Sequence, residues 1–408
     1  MNCKKRKGNH KFGFGGMMEM RYIAKDIPLW QVTIWDKKFN NVDKKWQPKT
    51  IKYKYLLSDE LDSLRVDDGD VRILYTGKDV GFTTEELAGD RLSEGEIISI
   101  PWGGIPTVKY HKGKFVTGDN RIATSKDIDK LTNKYLYYFM RGNIHEIASY
   151  YRGASLKHPC MKDILKMTIS YPSVQEQDKI CGQFDVLEQI IEVRKQELQL
   201  LDDLIKARFV EMFGDPVSNS NGLPESTLPE LGEFGRGISK HRPRNDPKLL
   251  GGDYPLIQTG DVANAGLYIT SYSSTYSELG LKQSKMWDNG TLCITIAANI
   301  AKTSILKFDA CFPDSIVGFN ANEKTNNIFI HYWFSFFQAI LESQAPESAQ
   351  KNINLKTLSE LKVIVPVKDK QDKFVEFIKQ VDKSKVAVQK ALDETQMLFD
   401  SLMQKYFG

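Results

Sequence analysis

The chain has 408 residues, of which 41% are hydrophobic and 26% are charged, and its formal net charge is +4. This composition predicts a globular protein of two or more domains, and we find no 18-residue apolar run and no signal peptide, which favours a cytoplasmic protein without a membrane segment. The five cysteines are scattered without a CxxC pair and the six histidines are dispersed, so neither disulfides nor a metal site are expected.

Residues 1–20 account for the whole positive excess. They contain five lysines and arginines and one glutamate, whereas the remainder of the chain is neutral. Net charge therefore gives no argument for binding to nucleic acid, and any such argument must come from local clusters of basic residues. We expect this basic segment to be disordered, and we assign it no function.

Residues 21–172 are predicted to form a first globular unit. Segments rich in Trp, Tyr, Val and Ile, separated by Asp/Gly turns, predict short β-strands. The unit is therefore expected to have an α+β fold with a mostly antiparallel, curled sheet. The predicted strands are 30–35, 51–57, 71–75, 96–100 and 107–110, and the predicted helices are 131–141 and 161–166.

A long helix with a heptad pattern is predicted twice, at 173–213 and at 367–407. A constant shift of 194 residues superimposes the two copies without a gap, so that Pro172 corresponds to Pro366 and Phe213 to Phe407. An internal repeat of this kind determines the architecture of the chain. At about 1.5 Å per residue, each helix would be roughly 60 Å long.

Both copies have a seam of apolar residues at the alternating spacing of four and three that a coiled coil requires. The polar interruptions fall at different positions in the two copies, for example Arg194 against Val388 and Lys385 against Ile191. Since polar seam residues help to specify a partner, we expect the two helices to pair with each other. The predicted pairing residues are Ile180, Phe184, Leu187, Ile191, Leu198, Leu201, Ile205, Phe374, Ile378, Val381, Val388, Leu392, Phe399 and Leu402.

A second globular unit of similar plan is predicted at 215–366. Residues 290–296 lie opposite 95–101 at a shift of 195, and a predicted helix at 328–342 parallels the one at 131–141. The chain is therefore a globular unit followed by a helix, twice over, with a pseudo-twofold repeat. The predicted domains are the basic segment 1–20, the globular units 21–172 and 215–366, and the helices 173–214 and 367–408.

Motifs of several enzyme classes are missing. We find no GxxxxGK[ST] phosphate loop, no HExxH, no GxSxG and no Asn/Asp-Pro-Pro-Tyr/Phe tetrapeptide, so no catalytic residue is proposed. Basic residues interleaved with aromatic ones do occur, and they can contact phosphates, guanine or sugars, although a solvated loop charge is the commoner role of any single such residue. The candidates for DNA binding are Lys109, Tyr110, Lys112, Lys114 and Arg121 in the first unit, and Lys240, Arg242, Arg244, Lys285 and Lys302 in the second.

Four segments resemble a known family. They are 172–180 (PSVQEQDKI), 366–374 (PVKDKQDKF), 200–215 with its ending FVEMFGD, and 254–262 (YPLIQTGDV). Together they make the chain similar to the specificity subunits of type I restriction-modification systems, over about residues 21–408.

The resemblance implies two target recognition domains, each reading one half of a split, asymmetric double-stranded DNA target, with two antiparallel helices setting the spacer. Two modification subunits would dock on the helices and restriction subunits would join them, so AdoMet, ATP and Mg²⁺ would belong to those partners. This chain would then be non-catalytic and would have no cofactor of its own. Thr259, inside the 254–262 segment, joins the DNA-binding candidates on this ground.

Two alternatives remain open at this point. One is a non-catalytic coiled-coil adaptor that bridges proteins without reading DNA, and the other is a DNA methyltransferase or nuclease whose motifs have diverged. A salt titration of DNA binding would separate a reader from an adaptor. Binding of AdoMet or Mg²⁺ by the isolated chain would favour an enzyme.

Overall fold

The structure is a computed structural model that describes residues 22–36, 47, 49–77, 80–297, 300–344 and 353–408. The basic segment predicted at 1–20 lies outside the described residues. The chain folds into two compact units: the first contains the residues up to Val193 together with Leu392–Gly408, and the second contains Arg194–Ala391. Each unit therefore combines a globular part with portions of two long helices.

The two long helices are Val174–Phe213 and Lys368–Phe407, each of 40 residues, called here the central helix and the C-terminal helix. Their bounds agree with the heptad pattern to within one residue. The central helix ends where Gly214 adopts φ of 78° and its N–H donates to Val210 O at 2.8 Å. A β-carbon at Gly214 would lie 2.5 Å from Ser220 Oγ, so both the backbone angle and the space require glycine here.

The globular part of the first unit is built on a seven-stranded sheet of order β3-β2-β8-β6-β7-β4-β5, antiparallel except for the pairs β2–β3 and β4–β7. Two small antiparallel pairs, β1–β11 and β9–β10, accompany it. The strands are β1 (Ala24–Pro28), β2 (Thr33–Asp36), β3 (Thr50–Ile51), β4 (Val71–Leu74), β5 (Val80–Thr83), β6 (Ser93–Pro101), β7 (Lys109–Thr117), β8 (Asn120–Ser125), β9 (Tyr151–Arg152), β10 (His158–Pro159) and β11 (Thr168–Tyr171).

Helices of this unit include Asn133–Gly142 and Met161–Ile164, both close to their predicted positions. The others are Leu29–Val32, Ser58–Ser63, Glu85–Ala88, the 3-10 turn Gly89–Arg91 and Ile144–Ser149. The strand predicted at 30–35 is only half right, because Leu29–Val32 forms a helical turn that the Thr33 hydroxyl closes by donating to Leu29 O. The strand predicted at 51–57 ends at Ile51. Residues 52–57 are irregular, with Tyr55 in an isolated bridge to Thr117, and lead to the helix that begins at Ser58.

The globular part of the second unit has two larger sheets, of order β13-β21-β18-β19-β15 and β16-β14-β20-β17, and a small pair β12–β22. All pairs are antiparallel except β15–β19 and β14–β20. The strands are β12 (Glu225–Ser226), β13 (Gly232–Arg236), β14 (Leu250–Leu256), β15 (Tyr268–Ile269), β16 (Ser274–Tyr276), β17 (Met286–Trp287), β18 (Leu292–Thr295), β19 (Thr303–Leu306), β20 (Ala310–Cys311), β21 (Ile316–Ala321) and β22 (Val363–Ile364). Helices are Leu228–Leu231, the 3-10 turn Pro247–Leu249, Thr259–Asn264, Glu278–Lys282, Asn327–Gln344 and Leu355–Ser359. Both units are thus α+β with mostly antiparallel sheets.

A buried glutamine joins each long helix to the globular part that precedes it. Gln177 donates to Lys130 O at 2.7 Å and Pro172 O at 2.9 Å, and its Oε1 accepts from the Thr132 N–H at 2.9 Å. Gln371, which is 194 residues further on, donates to Lys324 O at 2.9 Å and Pro366 O at 2.8 Å. Both side chains are fully buried, which explains why each helix begins with the pattern Pro-x-x-x-x-Gln.

In each unit the start of one long helix packs against the end of the other. In the first unit, Phe184 lies 5.2 Å from Phe399 and 5.8 Å from Phe407, ring centre to ring centre. In the second, Phe374 lies 5.4 Å from Phe209 and 5.6 Å from Phe213. Within each unit, the segments of the two helices therefore pair with each other and run antiparallel, and their rings meet tilted or edge-on, as aromatic pairs prefer.

The end of the C-terminal helix is also part of the first unit's core. The Phe407 ring lies 5.1 Å from the Tyr135 ring, and the Asn143 side-chain amide donates to Phe407 O at 3.0 Å.

Ten of the predicted pairing residues are buried: Ile180, Phe184, Leu187, Ile191, Ile205, Phe374, Ile378, Val381, Val388 and Phe399. Leu198, Leu201, Leu392 and Leu402 are half-buried.

Candidate nucleic-acid interface

A polar groove of about 870 Å³ opens in the second unit. Its lining combines guanidinium, amide, hydroxyl and carboxylate groups, which are the groups that contact base edges and phosphates. The polar side chains that matter most here are those of Arg236, Arg244, Gln258, Thr259, Asp314 and Asn354. Two of the predicted residues, Arg244 and Thr259, therefore line one cavity.

Arg236 is held at the groove by the backbone around it. It is the last residue of β13, paired with Val317 of β21, and the next N–H, that of Gly237, donates to Ile316 O at 2.9 Å. A β-carbon at Gly237 would lie 2.3 Å from Phe312 O, so only glycine allows this close approach. Within the described part of the chain, the exposed Arg236 side chain makes no hydrogen bond or ion pair.

Asp314 gathers the two other arginines. Its carboxylate pairs with the Arg244 guanidinium and lies 3.5 Å from Arg242 Nη2. Arg242 also donates from Nη1 to Ser239 O at 2.6 Å and to His241 O at 2.9 Å. These groups are partly exposed, so the ion pairs add little stability, but together they orient both guanidinium groups.

Arg242 and Arg244 lie in the loop 240–246, called here the arginine loop, and hydrogen bonds hold this loop at both ends. Gln283 Oε1 accepts from the backbone N–H groups of Lys240 and His241, at 2.7 and 3.0 Å. At the other end, Asp246 accepts from the Lys248 N–H at 3.0 Å and pairs with His241. The Lys248 N–H, followed by His241, lowers the pKa of the Asp246 carboxyl. Loops of this kind, held on a rigid scaffold, are common binding elements.

Three amide side chains belong to the polar lining, those of Asn245, Gln258 and Asn354. Gln258 is exposed at the start of the helix Thr259–Asn264, where its backbone N–H donates to Asp261 Oδ2 at 2.8 Å. Asn354 caps the helix Leu355–Ser359, with its Oδ1 accepting from the Thr357 N–H at 2.8 Å. Amide groups of this type match the adenine edge in the major groove.

The first-unit candidates have protein partners. Lys109 donates to the carbonyls of Tyr75 and Gly77, and the Tyr110 hydroxyl donates to Glu96 Oε1 at 2.7 Å. Burial and that carboxylate raise the pKa of Tyr110. Lys112 lies 3.4 Å from Glu96, and Lys114 pairs with Glu85. The charges of this group are therefore partly offset within the unit.

Arg121 occupies a different environment from the one predicted. Its side chain is fully buried, with Nη1 2.8 Å from Asp36 Oδ1 and Nη2 2.6 Å from Asp119 Oδ1. The guanidinium carbon lies 4.8 Å from the centre of the Trp102 ring. A buried arginine between two carboxylates is inaccessible to DNA and links β8 to β2, so we withdraw it from the candidates.

Lys285 and Lys302 do not line the groove. Lys285 pairs with Glu233 at 2.7 Å and lies 3.7 Å from the Trp287 ring centre. Lys302 donates to Gln338 Oε1 at 3.1 Å in a separate cavity of about 200 Å³. The exposed Lys240 belongs to the arginine loop but is not among the lining residues of the groove.

A family model described as "Type I restriction modification DNA specificity domain" matches residues 62–202 and 225–395, well over half of the chain. The chain belongs to this family. Its role is DNA sequence specificity, and as a specificity subunit it is a non-catalytic component of a type I restriction-modification system. This confirms the resemblance, and the adaptor and enzyme alternatives are not favoured.

Two relatives and one solved structure are similar over most of their length. The putative type I restriction enzyme MjaX specificity subunit of Methanocaldococcus jannaschii is 21% identical, with 78% of each chain covered. The type I restriction enzyme EcoDI specificity subunit of Escherichia coli is 23% identical, with 74% of each covered. The crystal structure of the type I restriction-modification S subunit from M. genitalium has a TM-score of 0.59 at 16% identity and covers 96% of this chain and 97% of that one. The last comparison confirms the fold.

Four residues that line the groove of this specificity subunit are not among those predicted from the sequence: Arg236, Gln258, Asp314 and Asn354. The signal for Arg236 was its position between Gly235 and Gly237, since glycines around a basic residue indicate close backbone packing. Across the described ranges, no group of three or more His, Cys, Asp or Glu could hold a metal, and no helix is long and apolar enough to cross a membrane.

Proposed function

We propose that the groove of the second unit binds one half of a split double-stranded DNA target and that the first unit binds the other half. The observation that carries this proposal is the convergence of two guanidinium groups and three side-chain amides on one groove of about 870 Å³, with a third guanidinium group beside them at Asp314. Guanidinium groups bind phosphate and guanine, and amides suit adenine.

The other residues predicted to bind DNA differ in how close they lie to the groove. Lys240, Arg242, Arg244 and Thr259 stay candidates because they line the groove or belong to its arginine loop. Lys112 and Lys114 are exposed or half-buried and could exchange a carboxylate for a phosphate, with Lys109 and Tyr110 beside them. Lys285 and Lys302 lie outside the groove, so any contact they make would be with phosphates beyond the half-site bound there.

We further propose that the paired helices set the spacer between the half-sites and dock two modification subunits, which restriction subunits join in the cytoplasm. The repeat supports two docking sites, because the same helix entry, with a buried Gln177 or Gln371, occurs twice. AdoMet, ATP and Mg²⁺ would be bound by those partners.

DNA binding by the full chain in a salt titration tests the groove. The double variant Arg242→Ala/Arg244→Ala should lower affinity for all duplexes and reduce the slope of log K against log salt by about 1 for each phosphate that the protein no longer neutralises. Lys324→Ala removes an exposed charge of the same unit outside the groove and is the matched control. An unchanged affinity and slope in the double variant would exclude the groove, and no DNA binding by any form would return the adaptor hypothesis.

A further inference from the structure

The two arginines that line the groove are in different chemical situations. Arg242 and Arg244 share the carboxylate of Asp314, which offsets part of their charge and occupies part of their donors. Arg236 is exposed and has no hydrogen bond or ion pair with any residue that the structure describes. Its five N–H donors are therefore available to a ligand.

The backbone at Arg236 is also more firmly positioned than the backbone of the arginine loop. Strand pairing with Val317 fixes the residue itself, and the contact of Gly237 with Phe312 fixes the next one. Arg242 and Arg244 instead lie in a loop whose orientation depends on Asp314 and Gln283. A base contact requires a residue whose backbone has a defined position, whereas phosphate contacts along a duplex tolerate a loop.

From this contrast we propose that Arg236 reads a G·C base pair in the half-site of the second unit, donating two N–H groups to guanine O6 and N7. Arg242 and Arg244 contact phosphates of the same half-site, and Asp314 is the residue that positions them. Guanine presents the paired acceptors in the major groove that match a guanidinium fork. The inference rests on the proposed function that this unit binds DNA.

The test is selection of bound duplexes from a library with a randomised centre, using the full chain and three variants of one residue. Arg236→Lys keeps the positive charge but loses the donor fork. It should retain the affinity for non-specific duplex and the salt slope, together with part of the G·C preference, because an ammonium also donates to guanine O6 and N7. Arg236→Ala removes every donor, so the preference for G·C at one position should fall by about 5- to 150-fold.

Arg236→Gln should reverse the base preference at the same position of the target. Its amide matches adenine, so the preference should move from G·C toward A·T. A full G·C preference in Arg236→Ala would make Arg236 a bystander, and an equal loss of affinity for all sequences in Arg236→Ala would make it a phosphate contact. Either result would overturn the proposal. Absence of any sequence preference in the unmodified chain would instead overturn the proposed function, so the two failures are distinguishable.

Discussion

The contact between the globular part and the long helices is built from different chemistry in the two units. In the first unit, ion pairs and a hydrogen bond accompany the aromatic packing: Lys134 pairs with Asp185 at 2.7 Å, the Tyr138 hydroxyl donates to Asp185 at 2.7 Å, and Arg141 pairs with Glu188. In the second unit, 194 residues on, Lys134 and Arg141 are replaced by Ile328 and Ser335.

Aromatic packing takes the place of those ion pairs in the second unit. Phe209 lies 5.4 Å from Phe329, 5.0 Å from Phe336 and 5.4 Å from Phe374. The buried glutamine is nevertheless retained in both units. The comparison shows that the repeat preserves the hydrogen bonds that define the helix entry, while the half-exposed contacts beside them vary freely.

The largest expected effect comes from emptying the aromatic cluster. Phe209→Ala should destabilise the second unit by about 3–5 kcal/mol, because Phe209 is fully buried and its removal leaves a cavity. Since the chain has two units, hydrogen exchange read peptide by peptide is the suitable measurement. The adjacent, exposed Val210→Ala should change little, within about 0.5 kcal/mol. Equal loss of protection in both units would contradict a local role for the cluster.

A pH dependence should distinguish the second unit. Burial, and then the Lys385 charge, lower the pKa of His331 to about 4, and Thr303 Oγ1 lies 2.9 Å from its Nδ1. In the unfolded chain His331 binds a proton near its ordinary pKa of 6.5. Its contribution to the free energy of unfolding is therefore fully present above pH 6.5 and is lost as the pH drops toward 4. We expect a loss on the order of 1–3 kcal/mol.

The first unit supplies the control for that prediction. It has Tyr137 at the equivalent position, so His331→Tyr should flatten the dependence of the second unit between pH 6.5 and 4. Thermal unfolding followed over this pH range is the measurement. An unchanged slope in His331→Tyr would show that other groups cause the acid sensitivity.

The smallest expected effect is at the ion pairs of the first unit. Glu188→Gln should cost about 0.2–1 kcal/mol, because both partners are about one-third exposed, and the cost should shrink at high salt. Asp382→Asn is the matched change in the second unit, where Asp382 forms no ion pair within the described residues, and it should be nearly neutral. Denaturant titrations at low and high salt compare them, and a salt-independent cost at Glu188 would rule out an electrostatic cause.

The long helices could be predicted from the sequence because their heptad period is local and a glycine follows the C-terminal end of each helix. The groove could not be predicted. Arg236, Arg244 and Asp314 are brought together by the pairing of β13 with β21 and by a loop, across up to 78 residues of sequence, and no periodic signal encodes that contact. Arg121 shows the same limit, because only the pairing of β8 with β2 reveals that its charge is buried beside Asp36.

The packing of Phe407 against Tyr135 has a consequence for the order of events during synthesis. Residues 194–391, the whole second unit, emerge from the ribosome between the first unit's globular part and its last helical segment. At roughly 5–20 residues per second this interval lasts about 10–40 s. The unit encoded first is therefore completed last, and until residues 399–407 have been synthesised its core around Tyr135 and Phe184 lacks the side chains of Phe399 and Phe407.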